Sequence, residues 1–219
     1  MGTFASDVFA GTPGAALVGT TPTVGGTWTN GGGSASCPIF TGGGTAVKEA
    51  SGLTGQCYVN TAPPSADYSV QVDVTPDVGG SDSASGVIGR KASGATNTFY
   101  LADYYDPVTA GSRQFRLYKF VAGTPTSLGS YTTNIGTSTT TLKLTMVGTS
   151  PTSLTVYVNG VSRITATDSD ITSAGFAGVR QGNASDPTTK AIFLDNFSAF
   201  DSAASPAFQR RRPSGLYTR

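Results

Sequence analysis

The clearest periodicity in the chain lies between residues 154 and 166. Leu154, Val156 and Val158 alternate with Thr155, Tyr157 and Asn159. Successive side chains of an extended strand point to opposite faces, so this pattern predicts a strand with one buried and one solvated face. Asn159-Gly160 follows, two residues able to take the positive φ of a type I′ turn, and Val161 to Ala166 returns as the partner of a hairpin. A two-residue turn would pair Val156 with Arg163 and direct Ile164 away from the apolar face. The return strand must therefore carry a bulge or be covered on its outer side.

The same alternation recurs upstream. Tyr68, Val70, Val72 and Val74 alternate with Ser69, Gln71 and Asp73, and Pro76-Asp77 ends that strand. Further strands are expected over 86–90, 98–105, 114–121, 128–132 and 141–147, each bounded by Gly, Pro, Asn or Ser. Asp7-Val8-Phe9 reads as an early strand and Trp28 as a core or edge anchor, while 30–56 gives weak strands only. Residues 174–179 form a strand with glycines at close backbone approaches. Ile192 to Phe200 places apolar residues on both faces, which predicts a strand in the middle of a sheet with both sides covered. Many short strands with polar connections and no helical repeat predict an all-β fold. Its architecture is two antiparallel sheets packed face to face as a jelly-roll sandwich. The chain of 219 residues is long enough for one such domain. We place it at residues 1–201, with 202–219 as a basic C-terminal tail.

Charge changes the picture mainly by exclusion. Charged residues make up 12% of the chain and the formal net charge is +1, with Arg210, Arg211, Arg212 and Arg219 supplying four of the 14 basic residues. The body is thus slightly acidic and offers no broad basic surface for nucleic acid. No stretch reaches the length of a membrane-spanning helix, so membrane insertion is not expected. The first residues lack the basic and apolar regions of a secretory signal, which leads to the expectation that the chain stays where it is made. Cys37 and Cys57 are the only cysteines. Their spacing fits neither a metal pair nor a redox dithiol, and leaves a disulfide or two thiols as alternatives.

Several segments stand out together by their order and spacing. They are Pro22-Thr23-Val24-Gly25-Gly26-Thr27-Trp28, Ala66-Asp67-Tyr68, Asn97-Thr98-Phe99-Tyr100-Leu101 and Phe115-Arg116-Leu117-Tyr118-Lys119. The Val156-to-Gly160 turn, Ala174 to Val179 and Asp195-Asn196-Phe197 complete the set. In that order and spacing they resemble successive strands of the concanavalin A-like lectin and glucanase superfamily, and in particular its laminin-G-like modules, including those of bacteriophage virion proteins, over about residues 4 to 200. It implies a curved concanavalin A-like sandwich whose concave face, in many members, binds glycans.

Missing residues limit the chemistry. With no His in the chain, Ser-His-Asp catalysis and His-ligated metal sites are excluded. Glu49 is the sole glutamate, so the glutamate pair that glucanases of the superfamily use is absent. Asp103 and Asp106 lie close together, which a turn at Pro107 explains without catalysis. No enzyme is expected. For a binding face, Tyr100, Ala102 and Tyr104 share one side of their strand, and Arg116, Tyr118 and Phe120 one side of theirs. If the strands are neighbours, Tyr104, Arg116 and Tyr118 form a candidate glycan site: rings stack on apolar sugar faces, while hydroxyls and a guanidinium donate to sugar oxygens. The bland alternative is that these aromatics fill the sheet interface.

Calcium is a second candidate ligand, because some laminin-G-like modules bind it and all carboxylates here but Glu49 are aspartates. Asp7 and Asp195, in matching Asp-x-Phe segments near the two ends, are the candidate ligands. In the tail, Arg210, Arg211, Arg212, Leu216 and Tyr217 form a candidate contact with other virion proteins or a second copy, combining arginine forks with apolar anchors. The functional expectation is a non-catalytic bacteriophage virion component, as capsid decoration or tail fibre, contacting host-surface glycans. The alternatives are a carbohydrate-binding module of an exported bacterial protein and, disfavoured, a glycoside hydrolase.

Overall fold

The computed structural model describes residues 2–33, 38–41, 44, 46–48, 53–77, 82–107, 110–182 and 191–202. Among these the elements are β1 (Thr3–Asp7), β2 (Trp28–Gly33), β3 (Ile39–Phe40), β4 (Val47–Lys48), β5 (Gly55–Val59), β6 (Tyr68–Pro76), β7 (Ser83–Lys91) and β8 (Phe99–Asp106). They continue with β9 (Gln114–Val121), β10 (Thr124–Thr132), β11 (Thr140–Val147), β12 (Thr152–Val158), β13 (Val161–Asp168), β14 (Phe176–Gly182) and β15 (Ile192–Asp201). A single 3-10 turn, Ala110–Ser112, is the sole helical element among the described residues.

The strands form two antiparallel sheets. The first runs β13-β12-β11-β6-β15-β4-β3, with β1 also paired to β15; the second runs β10-β9-β8-β7-β14-β5-β2. Neighbours distant in sequence, such as β6 beside β11 and β7 beside β14, make this the expected jelly-roll sandwich. Between the sheets lies the main core, with Val70, Val72, Leu142, Leu144, Leu154 and Val156 facing Val87, Tyr100, Ala102, Leu117 and Val179. The alternating residues of the central hairpin are therefore buried as expected. Each fully buried side chain of this kind contributes about 1.5–3 kcal/mol through removal of apolar surface from water.

The hairpin resolves its own phase problem. Asn159 and Gly160 take φ of 50° and 77°, Val158 pairs with Val161, and a bulge between Val156 and Tyr157 lets Val156 face Ile164 instead of Arg163. Ile164 is thereby returned to the core. A similar bulge corrects the expectation for β15. That strand is indeed central, between β6 and the β1/β4 side, but its outer face is not covered throughout. The register slips between Asp195 and Ser198, where Asn196 has a φ of 52°. Ile192 and Leu194 before the slip and Phe197 and Ala199 after it thus face one core, and this phase change produced the two-sided pattern. Phe9, expected in a strand, lies just beyond β1 at positive φ and is buried.

Three buried polar anchors set the ends of the sandwich. Trp28 is fully buried and donates its indole N–H to Asp7 Oδ2 at 2.6 Å. Arg90 donates to Thr152 Oγ1 at 2.6 Å and to the carbonyls of Ile171, Ala66 and Gly148 at 2.9, 2.9 and 2.5 Å, tying three connections to β7. Lys91 donates to the carbonyls of Ala92, Gly94 and Thr96 at 2.6, 2.9 and 2.7 Å and so shapes the 92–98 loop. With little water around it, the Lys91 amine is pushed down to about 8. Cys57 is buried on β5. Cys37, Glu49 and the tail residues Arg210, Arg211, Arg212, Leu216 and Tyr217 lie outside the described residues.

Candidate functional site

The register of β8 against β9 decides which side chains share a surface. Asp103 pairs with Arg116, Leu101 with Tyr118, Phe99 with Phe120, and Tyr104 with Phe115. Directly opposite residues of an antiparallel pair point to the same face. Arg116 and Tyr118 therefore stand with Asp103 and Leu101 on the outer face of the second sheet, whereas Tyr104 points into the sandwich. It is fully buried, with its ring 5.0 Å from that of Phe115. This corrects the expected trio: Tyr104 is a core residue, and Tyr105, one position on, takes its place beside Arg116.

On that outer face Arg116 forms a bidentate fork with Asp103, Nε to Oδ1 at 2.8 Å and Nη2 to Oδ2 at 2.7 Å. Its guanidinium lies 4.2 Å from the ring centroid of Tyr105 and 5.2 Å from that of Tyr118. Such an arginine is held by both charge-assisted hydrogen bonds and cation–π contact. Burial alone would push the guanidinium down, but Asp103 more than offsets this and holds it above its usual range. Asp103 itself is fully buried, so the fork is fixed from beneath.

Beside the fork lies a second apolar cluster, separate from the main core: Ile88, Phe99 and Leu101, overlaid by the partly buried Tyr118 and Phe120. The Phe99 and Phe120 rings stack at 4.6 Å and 18°. Two depressions open here. One, of about 210 Å³, is lined by Leu101, Asp103, Arg116, Tyr118, Phe120, Pro125 and Arg180. The other, of about 140 Å³, continues from Phe99, Phe120 and Arg180 to Gln56, Asn97 and the glycines of β2. Arg180, whose guanidinium lies 5.8 Å from the Phe120 ring centroid, lines both.

Gln56, Asn97, Tyr105 and Arg180 escaped the reading of the sequence. The available signal was on β8, where Phe99 and Leu101 are as apolar as Tyr100 and Ala102 opposite them, which marks a strand covered on both faces. Asp103 and Asp106 are not turn residues: both lie on β8, the first in the fork with Arg116 and the second paired with Arg113 at 2.5 Å.

Of the two calcium candidates, Asp7 has both carboxylate oxygens engaged within the fold. Asp7 Oδ1 accepts from the Phe9 amide at 3.0 Å and Oδ2 from the Trp28 indole. Burial pushes the Asp7 carboxyl up, the Trp28, Phe9 and Val8 donors oppose this, and nearby Asp195 adds to the rise. Asp195 is also pushed up, by burial and then by Asp73. The ends of the chain do bring Asp7 and Asp195 into electrostatic reach, but Asp7 serves as the anchor of Trp28. Among the described residues no group of three acidic, Cys or His side chains is placed to hold a metal ion.

No family model and no curated protein sequence matches the chain. Solved structures do match its fold. The carbohydrate-binding module CBM66 of Bacillus subtilis superposes with a TM-score of 0.60 at 17% identity, covering 86% of this chain and 99% of that one. A legume lectin-like domain of Entamoeba histolytica gives 0.52 at 9% identity, covering 72% and 84%. The GH43 protein BlXynB of Bacillus licheniformis gives 0.52 at 11% identity, with 72% of this chain against 33% of that chain. At these identities the likeness is one of fold, and the fold is the concanavalin A-like jelly-roll sandwich that the sequence resemblance implied.

Proposed function

We propose that this protein is a non-catalytic glycan-binding module whose ligand lies on the outer face of the second sheet, against Tyr118, Arg116 and Phe120. The observation that carries this reading is the Arg116 fork, locked on buried Asp103 between two tyrosine rings and open to a depression. Tyr118 and Phe120 offer apolar faces for a sugar ring, and the two N–H groups on Nη1 of Arg116 and one on Nη2 are donors not spent on Asp103. A rigid aromatic surface with a few fixed polar groups is how a shallow site gains orientation without a large ordering cost. The carbohydrate-binding module and the lectin-like domain among the fold neighbours support the same reading. Against hydrolysis, Asp103 and Asp106 are each committed to an arginine, and one glutamate cannot supply an acid together with a nucleophile or base.

Two settings fit such a module. The match to CBM66 over 99% of that chain favours the setting of a carbohydrate-binding module, which the sequence reading assigned to an exported bacterial protein. The virion setting rests on the sequence: few charges, a Gly-, Ser- and Thr-rich sandwich, and a tail of three arginines with Leu216 and Tyr217. Deleting residues 206–219 separates them: a virion component loses particle incorporation or its oligomer in sedimentation, and a free-standing module loses neither. The binding reading itself is tested on a glycan array. Retention of at least one glycan class is expected; an array with no retained glycan overturns the proposal, and β-glucan turnover that depends on Glu49 overturns its non-catalytic part.

A further inference from the structure

The second depression differs from the first in what it asks of a ligand. Its floor is the backbone of Gly32 and Gly33 on β2 and of Gly55 on β5, and one wall is the stacked Phe99–Phe120 pair. Gly32 and Gly33 have φ of 128° and 73°; a Cβ on Gly32 would stand 2.5 Å from Asn97 Oδ1, and one on Gly33 2.3 Å from the Thr54 carbonyl. The floor thus exists only because these positions are glycine. The opposite wall is Gln56, only 5% exposed. Its amide N–H groups donate to the Gly31 carbonyl at 3.0 Å and to Asn97 Oδ1, which orients the amide. Its Oε1 is buried and accepts no hydrogen bond. Leaving a buried acceptor unmade costs on the order of 1–3 kcal/mol, a cost removed when a ligand donates to it.

The placement of Asn97 is equally fixed. Lys91 gathers the carbonyls of the 92–98 loop, the Gly123 amide donates to the Asn97 carbonyl at 2.8 Å, and the Ala122 amide donates to Thr98 Oγ1 at 3.0 Å. The depression is a preformed recess, with an apolar wall, an oriented acceptor and a guanidinium from Arg180 at its mouth.

Resting on the binding reading above, we infer that this recess is a second sugar subsite, in which a ring stacks on Phe120 and donates a hydroxyl to Gln56 Oε1. The ligand is then a chain of at least two sugar residues laid across the strands, shared at Phe120 and Arg180. Gln56 and Phe120 line this depression while Leu101, Tyr118 and Phe120 line the other, so a chain shared at Phe120 has a place for each of two rings.

The test is NMR titration of the ¹⁵N-labelled full chain with methyl glycosides of glucose, galactose, mannose, xylose and fructose. It is followed by the linear tetrasaccharide of each sugar that shifts resonances. Saturable shifts are expected at the Gln56 side-chain amide and at the Gly33 and Gly55 amides, besides those at Leu101 and Tyr118. The tetrasaccharide should bind about tenfold or more tighter than the methyl glycoside. In Gln56→Met the gain with length should vanish while the Leu101 and Tyr118 shifts persist. Wild-type shifts confined to Leu101 and Tyr118, or equal affinity for one ring and four, overturn the second subsite and leave the binding face standing. The absence of shifts anywhere with every sugar overturns both.

Discussion

Along β12 burial alternates from Thr152 to Val158, whereas along β7 every side chain from Ser83 to Lys91 is buried. The two strands belong to opposite sheets of one sandwich, and the contrast extends across their outer faces. On the first sheet that face is half-buried and polar. Ser69 meets Thr145 at 2.9 Å, Thr141 donates to Asp73 at 2.7 Å, and Lys143 sits 4.2 Å from the Tyr157 ring centroid. On the second sheet it carries an apolar cluster, a buried carboxylate and a clamped arginine. A solvated face needs only hydrogen bonds that water can replace. The other withholds apolar and charged groups from water at a cost, and it is the face we propose for the ligand.

The largest effect should come from unmaking the fork. Arg116→Ala leaves Asp103 buried without its partner and should cost roughly 3 to 5 kcal/mol in urea denaturation. The double change Asp103→Val with Arg116→Met should recover most of that loss, because apolar groups of similar volume replace a buried pair at little cost. A single variant as stable as wild type would show that the fork is solvated and that the two faces are alike. Next in size is Val156→Ala, in the core between the faces, with an expected loss of about 1–3 kcal/mol from lost burial and a residual cavity. On the polar face, Thr145→Ala should cost under about 1 kcal/mol, since Ser69 keeps Ser202 as a partner at 3.1 Å.

Acid should act at the end of the sandwich where the sheets meet. Burial pushes the Asp168 carboxyl up, but Lys119 at 2.5 Å, the Asp170 amide at 2.9 Å and the Tyr100 hydroxyl at 2.8 Å together hold it below the usual carboxylate range. A depressed folded-state pKa stabilises the fold above the unfolded value, and that contribution is lost as pH falls. Thermal stability should therefore decline as pH is lowered through about 4, and Asp168→Asn should flatten that part of the profile. Asp7 and Asp195, pushed up, act in the opposite sense: their contribution favours the fold at low pH and fades as pH rises through the same range.

What the sequence made legible follows the same division. Strands with one solvated face announce themselves by alternation, and the Asn159-Gly160 turn is so short that it fixes register and called for either a bulge in the return strand or a cover on its outer side; the structure has the bulge, at Arg163. On the second sheet both faces are apolar, so alternation gives no direction. The connection from Pro107 to Arg113 is too long to set the register of β8 against β9. Tyr104 and Arg116 could then be placed together on paper, although a shift of one residue sends them to opposite faces. Arg116 and Tyr118 were legible as a pair on one strand face. Gln56 was not, because the role proposed for it depends on strands distant in sequence and on an acceptor left unmade after folding.

Tyr118 and Tyr157 provide the matched comparison, since each is a tyrosine beside a cation on an outer face, one per sheet. The most direct test is isothermal titration of the best array glycan against wild type, Tyr118→Ala and Tyr157→Ala, with the melting temperature of each recorded. Tyr118→Ala should lose about tenfold or more in affinity while remaining folded, with the lower melting temperature that loss of its packing on the apolar cluster brings, and Tyr157→Ala should bind as wild type does. Equal affinity of all three chains, or a loss confined to Tyr157→Ala, would contradict the assignment of the binding face.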